Sequence, residues 1–127
     1  MTTKRRVLDV GNCGPDHHAI RQMLLASVPD VEVHQAHGPD DTLRTLQESS
    51  FDLVLINRKL DQDYSDGTEI LKLIKSEPQL ADVPVMLVTN YEEHQADAIR
   101  LGAIRGFGKL ELHANETHRR IAETLKW

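Results

Sequence analysis

The sequence has 127 residues, and the 39% that are hydrophobic supply enough apolar material for one core. Its net charge of −5 comes from 20 acidic and 15 basic residues scattered along the chain, which argues against the basic patch that nucleic acid requires. The one cysteine, Cys13, excludes an intramolecular disulfide and a multi-thiolate metal site, and no apolar run is long enough to span a membrane. We therefore expect a single domain over residues 1–127, located in the cytoplasm, with neither nucleic acid nor membrane as a partner.

Short apolar runs alternate with amphipathic segments along the whole chain. Runs rich in Val, Ile and Leu are typical of buried strands, and the third and fourth are nearly continuous, as in the centre of a parallel sheet. The five predicted strands are residues 5–10, 31–36, 51–57, 83–89 and 103–108.

The segments between the strands carry apolar residues at helical spacing, with one stripe in each. Pro15 and Pro39 stand near the predicted starts of the first two helices, where a missing N–H costs little. Ser65 or Asp66 is the predicted N-cap of the third helix, and Gly102 is predicted to follow the fourth. The stripes are Ile20, Met23, Leu24 and Val28; Leu43 and Leu46; Ile70, Leu71 and Ile74; Ala96 and Ile99; and Ile121 and Leu125.

This alternation predicts right-handed strand–helix–strand crossovers and a parallel sheet covered by helices on both faces. In such a sheet the functional site lies outside the carboxyl ends of the strands. The candidate site residues are therefore 11–14, 57–60, 89–91 and Lys109.

Two segments resemble the receiver domain of two-component response regulators, and the resemblance extends over essentially the whole chain. They are FDLVLINRKLDQDYSDGTEILKLIKSEPQLADVPVMLVT, residues 51–89, and LGAIRGFGK, residues 101–109. The resemblance implies an α/β, flavodoxin-like fold, with a five-stranded parallel sheet in the order 2-1-3-4-5 and five helices. It also implies a role in phosphorelay signal transduction.

In that family an aspartate ending the third strand accepts a phosphoryl group, an acidic pair ending the first strand holds Mg²⁺, and a Thr or Ser and a Lys bind the phosphate oxygens. Thr89 matches the hydroxyl position and Lys109 matches the lysine. Asn57 stands at the nucleophile position, where a neutral amide is a poor nucleophile. The chain is therefore not expected to be an enzyme, and no catalytic residue is assigned.

The acidic pair of the family falls on Gly11 and Asn12, or on Asn12 and Cys13 if Pro15 anchors the alignment. Neither choice supplies a carboxylate, so Mg²⁺ is expected to bind weakly or not at all, and no other cofactor is predicted. Because the nucleophile and the metal ligands are absent together, we interpret the chain as a pseudo-receiver that is not phosphorylated at the usual position.

The switch aromatic of the family aligns with Gly106, and Phe107, one position later, faces the other side of the strand. The absence of crowded acids relieves repulsion in the site, so we expect the domain to be held in one state. Lys109 loses its usual anionic partners, and we predict that it bonds to the Asn57 side-chain oxygen or to a nearby backbone carbonyl.

By resemblance, the working surface would be the fourth helix, fifth strand and fifth helix, residues 92–101, 104–107 and 114–127. Phe107 and Trp127 are candidate anchors for signalling partners on this surface. Receivers commonly pair through it, so a homodimer is a further expectation.

Two other functions stay open on the sequence. The chain could be a phosphorylatable regulator with a nonstandard acceptor, such as Asp61 or Asp63, or a small-molecule or phosphate-binding flavodoxin-like protein with its ligand near residues 11–14. Asp9, inside a strand that should be buried, is expected to pair with a base such as Arg5 or with a backbone donor, or to lie near the exposed start of the strand; a displaced site acid is the alternative.

Overall fold

Residues 4–127, which the computed structural model describes, form a five-stranded sheet flanked by five α-helices. The strands are β1 (Arg6–Val10), β2 (Glu32–Ala36), β3 (Leu53–Asn57), β4 (Val85–Val88) and β5 (Ile104–Phe107). Their order in the sheet is β2-β1-β3-β4-β5, and all neighbours run parallel. This confirms the fold expected from the sequence, although the predicted strands extend one or two residues beyond the observed ones.

The helices begin close to the predicted punctuation. Pro15 lies in the first turn of the first helix, and Pro39 opens the second. The third helix begins at Thr68, later than predicted, because the Asp66 carboxylate accepts the Thr68 N–H at 2.9 Å and forms a turn ahead of the helix. The helices are α1 (Gly14–Ser27), α2 (Pro39–Glu48), α3 (Thr68–Ser76), α4 (Glu92–Arg100) and α5 (Asn115–Thr124), with a short 3₁₀ turn at Lys109–Glu111.

The helices cover both faces of the sheet. Leu24 of α1 and Ile121 of α5 pack with Leu55 on one face, and Ile74 of α3 packs with Ile56 on the other. Adjacent residues of β3 therefore serve opposite cores, as the alternation of side chains along a strand requires. In the described part of the chain, no helix has both the length and the apolar composition needed to cross a membrane.

Helix α4 is rotated relative to the sequence prediction. Its apolar pattern predicts Ala96 and Ile99 on the buried side, but Gln95 and Ala98 are the buried residues, and Ile99 is 43% exposed. The prediction is wrong here because it counts only apolar side chains, whereas this helix buries an amide.

The buried Gln95 amide is fully used in hydrogen bonds to the sheet. Its Nε2 donates to the carbonyl oxygens of Leu87 at 3.0 Å and Thr89 at 3.3 Å, and its Oε1 accepts the Gly106 N–H at 2.9 Å. These bonds compensate the cost of burying a polar group. They also fix α4 to the ends of both β4 and β5.

An acidic side chain, Asp9, lies one residue before the carboxyl end of β1 and is completely buried. Its carboxylate accepts hydrogen bonds from Asn12 Nδ2 and from the ring nitrogen Nδ1 of His17, both at 2.6 Å. Its partner is therefore a base on α1, while Arg5 bonds instead to Asp30, and the suggested exposed position is wrong. The pair ties the first turn of α1 to the sheet.

Burial raises the pKa of Asp9, and the hydrogen bonds from His17 and Asn12 offset only part of that effect. At pH values between the ordinary aspartate pKa of 3.8 and the raised pKa of Asp9 in the folded state, the folded protein therefore binds more protons at this site than the unfolded chain does. The contribution of Asp9 to stability consequently falls as the pH rises through this range.

We predict that Asp9→Asn, which keeps the shape and removes the buried charge, gains stability relative to the unmodified protein as the pH rises. Urea denaturation of both proteins between about pH 4 and about pH 8 measures the difference in their free energies of unfolding. A difference that stays constant over this range would show that the Asp9 carboxyl is not perturbed by burial.

Candidate functional site

The carboxyl ends of the parallel strands meet at one edge of the sheet, where the sequence predicts the site. A cavity of about 530 Å³ opens there and is bordered by Asn57 at the end of β3, Thr89 just after β4 and Lys109 just beyond β5. The fold thus brings together three of the predicted site residues from distant parts of the chain.

The side chain of Asn57 bonds to the backbone of two loops. Its Nδ2 donates to the carbonyl oxygen of Gly11 at 3.1 Å and to that of Lys59 at 2.7 Å. Gly11 lies between β1 and α1, and Lys59 lies after β3, so one amide joins both loops. An ionised carboxylate has no proton to donate and would face two carbonyl oxygens here. The surroundings of residue 57 therefore suit an amide.

The positions aligned with the acidic pair hold no metal ligand set. Gly11 has a φ of +77°, in the left-handed region that favours glycine, and a Cβ on it would lie 2.5 Å from Cδ2 and 3.3 Å from Cα of Leu60. Asn12 is fully buried and bonded to Asp9, whereas Cys13 is exposed at the start of α1. These residues do not fit Mg²⁺, which prefers carboxylate oxygens and water in octahedral geometry.

The lysine that was predicted to bond to Asn57 or to a backbone carbonyl has a different partner. Lys109 Nζ lies 2.7 Å from Asp16 Oδ2 in the first turn of α1, so that prediction is wrong. With no carboxylate at residue 57, the ammonium pairs with the acid that lies within its reach. This hydrogen bond lowers the pKa of Asp16. The pair is a third exposed, so it stabilises the fold by at most about 1 kcal/mol.

Thr89 is mostly buried, and its hydroxyl contacts two groups: one on α4 and one in the turn that precedes α4. The oxygen accepts the Tyr91 N–H at 3.3 Å and lies 3.3 Å from Nδ1 of His94. The rings of Tyr91 and His94 meet edge to face, with 5.5 Å between their centroids. A hydroxyl, an imidazole and a phenol therefore form one wall of the cavity.

At the switch position the structure leaves no room for a ring. A Cβ on Gly106 would lie 2.3 Å from the carbonyl oxygen of Leu87, so the position is closed to any larger side chain. Phe107 points to the opposite face, as predicted, where it is 1% exposed and packs with Ile121. Its burial contradicts the prediction that it is an exposed anchor for partners.

Two acids of the loop between β3 and α3 are engaged in contacts with other side chains. Asp61 Oδ2 lies 3.2 Å from Nδ1 of His37, and Asp63 accepts the Ser65 hydroxyl at 2.6 Å. Within residues 4–127, no three His, Cys, Asp or Glu side chains assemble as a possible metal site. A phosphoacceptor at Asp61 or Asp63 stays a hypothesis.

Several residues of the site were not predicted as such from the sequence. His94 borders the cavity but was predicted only as part of the partner surface 92–101, and Asp16 and His17 were assigned no role. Each belongs to the first turn of a helix that follows a site strand, which is a usable signal. Arg58 and Lys59 lay inside a predicted range without a function, and both border the cavity.

Solved structures of low sequence identity share this fold. A protein assigned as a response regulator from Chloroflexus aurantiacus J-10-fl has a TM-score of 0.84 at 16% identity, over 98% of this chain and 100% of that one. The signal receiver domain of the DNA binding response regulator protein merR from Colwellia psychrerythraea 34H has a TM-score of 0.80 at 22% identity, over 98% and 100%. NtrX from Brucella abortus has a TM-score of 0.76 at 22% identity, over 98% of this chain and 28% of that protein.

A search of curated proteins finds no match. The family assignment comes from a model of the family's sequences, which matches this sequence. The family model of the response regulator receiver domain matches residues 15–117, which is most of the chain, and the observed strand order is the one that this family's fold requires. Proteins of this kind are signalling modules that interact with other signalling proteins, and this chain belongs to the response regulator receiver domain family.

Proposed function

We propose that this receiver domain signals through protein contacts and is not phosphorylated at residue 57. The observation that carries the proposal is the Asn57 amide, whose protons are donated to the carbonyl oxygens of Gly11 and Lys59. Covalent catalysis needs an activated nucleophile, and an amide nitrogen that is used in two hydrogen bonds is not one. The amide acts as a brace between two loops.

The lack of metal ligands supports the same proposal. Phosphoryl transfer depends on neutralising the charge of the transferring group, usually through a divalent cation. Gly11, Asn12 and Cys13 provide no carboxylate, and Asp16, the nearby acid of α1, is paired with Lys109. A phosphoryl donor in this cavity would lack both the acceptor and the metal.

The contacts around β5 favour a single conformational state. Gly106 has no ring to move between positions, and Gln95 bonds to the backbone of both β4 and β5. A switch requires an element with two arrangements of similar free energy. The buried Gln95 hydrogen bonds stabilise one of them, so this domain would present a constant surface to its partners.

The proposed contact surface is formed by α4, β5 and α5. Ile99 and Ile104 are 43% and 40% exposed on it. Trp127, the other aromatic candidate, is 56% exposed, but its ring lies against the Arg5 guanidinium beside the start of β1, 5.1 Å from the ring centroid. Arg105 and Glu92 form an ion pair across α4 and β5 on the same surface. Exposed apolar side chains framed by charges are typical of protein contact surfaces, for signalling proteins or for a second copy of this chain.

We predict that neither the unmodified protein nor Asn57→Asp acquires a covalent phosphoryl group from a small phosphodonor with Mg²⁺. The substitution provides a carboxylate at residue 57, but residues 11–13 still supply none of the acids that would hold Mg²⁺ with it. Intact-mass spectrometry of both proteins after incubation provides the measurement. A stoichiometric adduct on the unmodified protein would refute the proposed function.

The same substitution should also destabilise the fold. Asn57→Asp exchanges two hydrogen bonds for repulsion by two carbonyl oxygens, so we expect the free energy of unfolding to fall by about 1–3 kcal/mol. Asn115→Asp, at the exposed start of α5, is the matched control and should change it by less than about 0.5 kcal/mol. Equal stability of the two variants would show that the amide is not a brace.

Gln95→Leu provides a separate test of the single-state proposal. Removing the amide leaves the Gly106 N–H and the Leu87 carbonyl without their partner, which should cost about 1–3 kcal/mol and speed hydrogen exchange at Gly106. The control is Gln22→Leu on the exposed side of α1. Unchanged exchange at Gly106 would contradict the role given to Gln95.

A further inference from the structure

The cavity at the ends of β3 and β4 is lined by cations and by no acid. Arg58, Lys59 and Lys109 all border it, and no Asp or Glu of the described residues does. The whole chain carries a net charge of −5, so this concentration of positive charge runs against the balance of the molecule. An anionic ligand is the chemistry that such a lining recognises.

Most of these charges keep donors that a ligand can use. Within residues 4–127 the Lys59 ammonium has no ion-pair partner. Arg58 forms an ion pair with Asp66, but at 3.8 Å its Nε makes no hydrogen bond to the carboxylate. Lys109 directs one of its three protons to Asp16 and keeps two. A dianion would therefore find several charged donors, which come from the segments that follow β3 and β5.

The size and walls of the cavity indicate a ligand larger than a free anion. Its volume of about 530 Å³ falls in the range of sites for small organic molecules. Tyr91 borders the cavity and is 63% exposed. Its ring and the His94 ring meet edge to face. This arrangement leaves an aromatic surface on which a planar ring can stack.

We propose that this cavity binds, without a metal ion, a phosphomonoester that carries a planar ring, of the nucleotide class. Arg58, Lys59 and Lys109 contact the phosphate, with Arg58 suited to a bidentate contact, and Tyr91 contacts the ring. The positive side chains take the part that a divalent cation plays in a site built from carboxylates. The proposal rests on the proposed function, because it takes Asn57 to be unmodified and to hold the two loops together.

The first test is calorimetric titration of the intact chain, in buffer with chelator, by adenosine monophosphate, adenosine and inorganic phosphate separately. We expect saturable binding of adenosine monophosphate that is tighter than that of either fragment. Adenosine binding as tight as the monophosphate would remove the role of the cations. Phosphate binding as tight as the monophosphate would remove the role of the ring.

Three variants then locate the site. Lys59→Gln should weaken binding of adenosine monophosphate about tenfold, the value of one charged hydrogen bond. Tyr91→Ala should weaken the monophosphate by a similar factor and leave inorganic phosphate unchanged, since it removes only stacking, worth about tenfold. Lys4→Gln removes the same charge near the amino end of β1, far from the cavity, and should have no effect.

Each remaining outcome decides the question. No saturable binding of any of the three probes at millimolar concentration, or equal weakening by Lys59→Gln and Lys4→Gln, would overturn the ligand proposal. Intact mass after separate incubation with the small phosphodonor and Mg²⁺ distinguishes this failure from that of the proposed function: a covalent phosphoryl adduct there refutes the proposed function, whereas absent ligand binding without an adduct refutes only the ligand proposal.

Discussion

The side-chain amide of Asn57 is the constraint on which the arrangement of this site depends. It donates to the carbonyl oxygens of Gly11 and Lys59, and so it sets the distance between the loop that leads into α1 and the loop that follows β3. A carboxylate in the same position would repel both carbonyls. The residue at the position that provides chemistry in a phosphorylated receiver is here a hydrogen-bond donor. The proposed loss of reactivity and the observed local geometry then have the same cause.

The charges around the amide follow from this arrangement. Because residues 11–13 and 57 carry no acid, Lys109 pairs with Asp16 on α1, and the cavity is left with Arg58, Lys59 and Lys109 on its walls. In the two proposals made above, this lining disfavours a divalent metal and favours an anion. Behind the cavity, the buried amide of Gln95 connects α4 to β4 and β5, and in the proposed function this connection holds the domain in one state.

The fold could be predicted from the sequence because its strands are continuous apolar runs and its helices carry single apolar stripes. The starts of α1 and α2 close to their prolines and the meeting of Asn57, Thr89 and Lys109 follow from those patterns, whereas the strand order was predicted from the resemblance to the receiver family. The failures involve polar side chains that are buried or paired. Hydrophobic spacing cannot show that Gln95 faces the sheet, that Asp9 pairs with His17 or that Lys109 reaches Asp16, since each depends on the distance between residues far apart in the chain. The prediction that Phe107 is an anchor for partners failed for the same reason. Its side chain fills a core to which α5 contributes, and the distance between β5 and α5 cannot be seen in the spacing of apolar residues.

The central claim is that the site has exchanged metal-dependent chemistry for a metal-free, amide-braced arrangement. Titration of the unmodified protein with Mg²⁺, followed by the backbone amide resonances of residues 11–13, 57–59 and 89, tests it most directly. The account predicts no saturable shift of these resonances up to millimolar Mg²⁺, because residues 11–13 and 57 supply no carboxylate and the nearby Asp16 is paired with Lys109. Saturable shifts confined to these residues would show that the site still holds a divalent cation and would contradict the account.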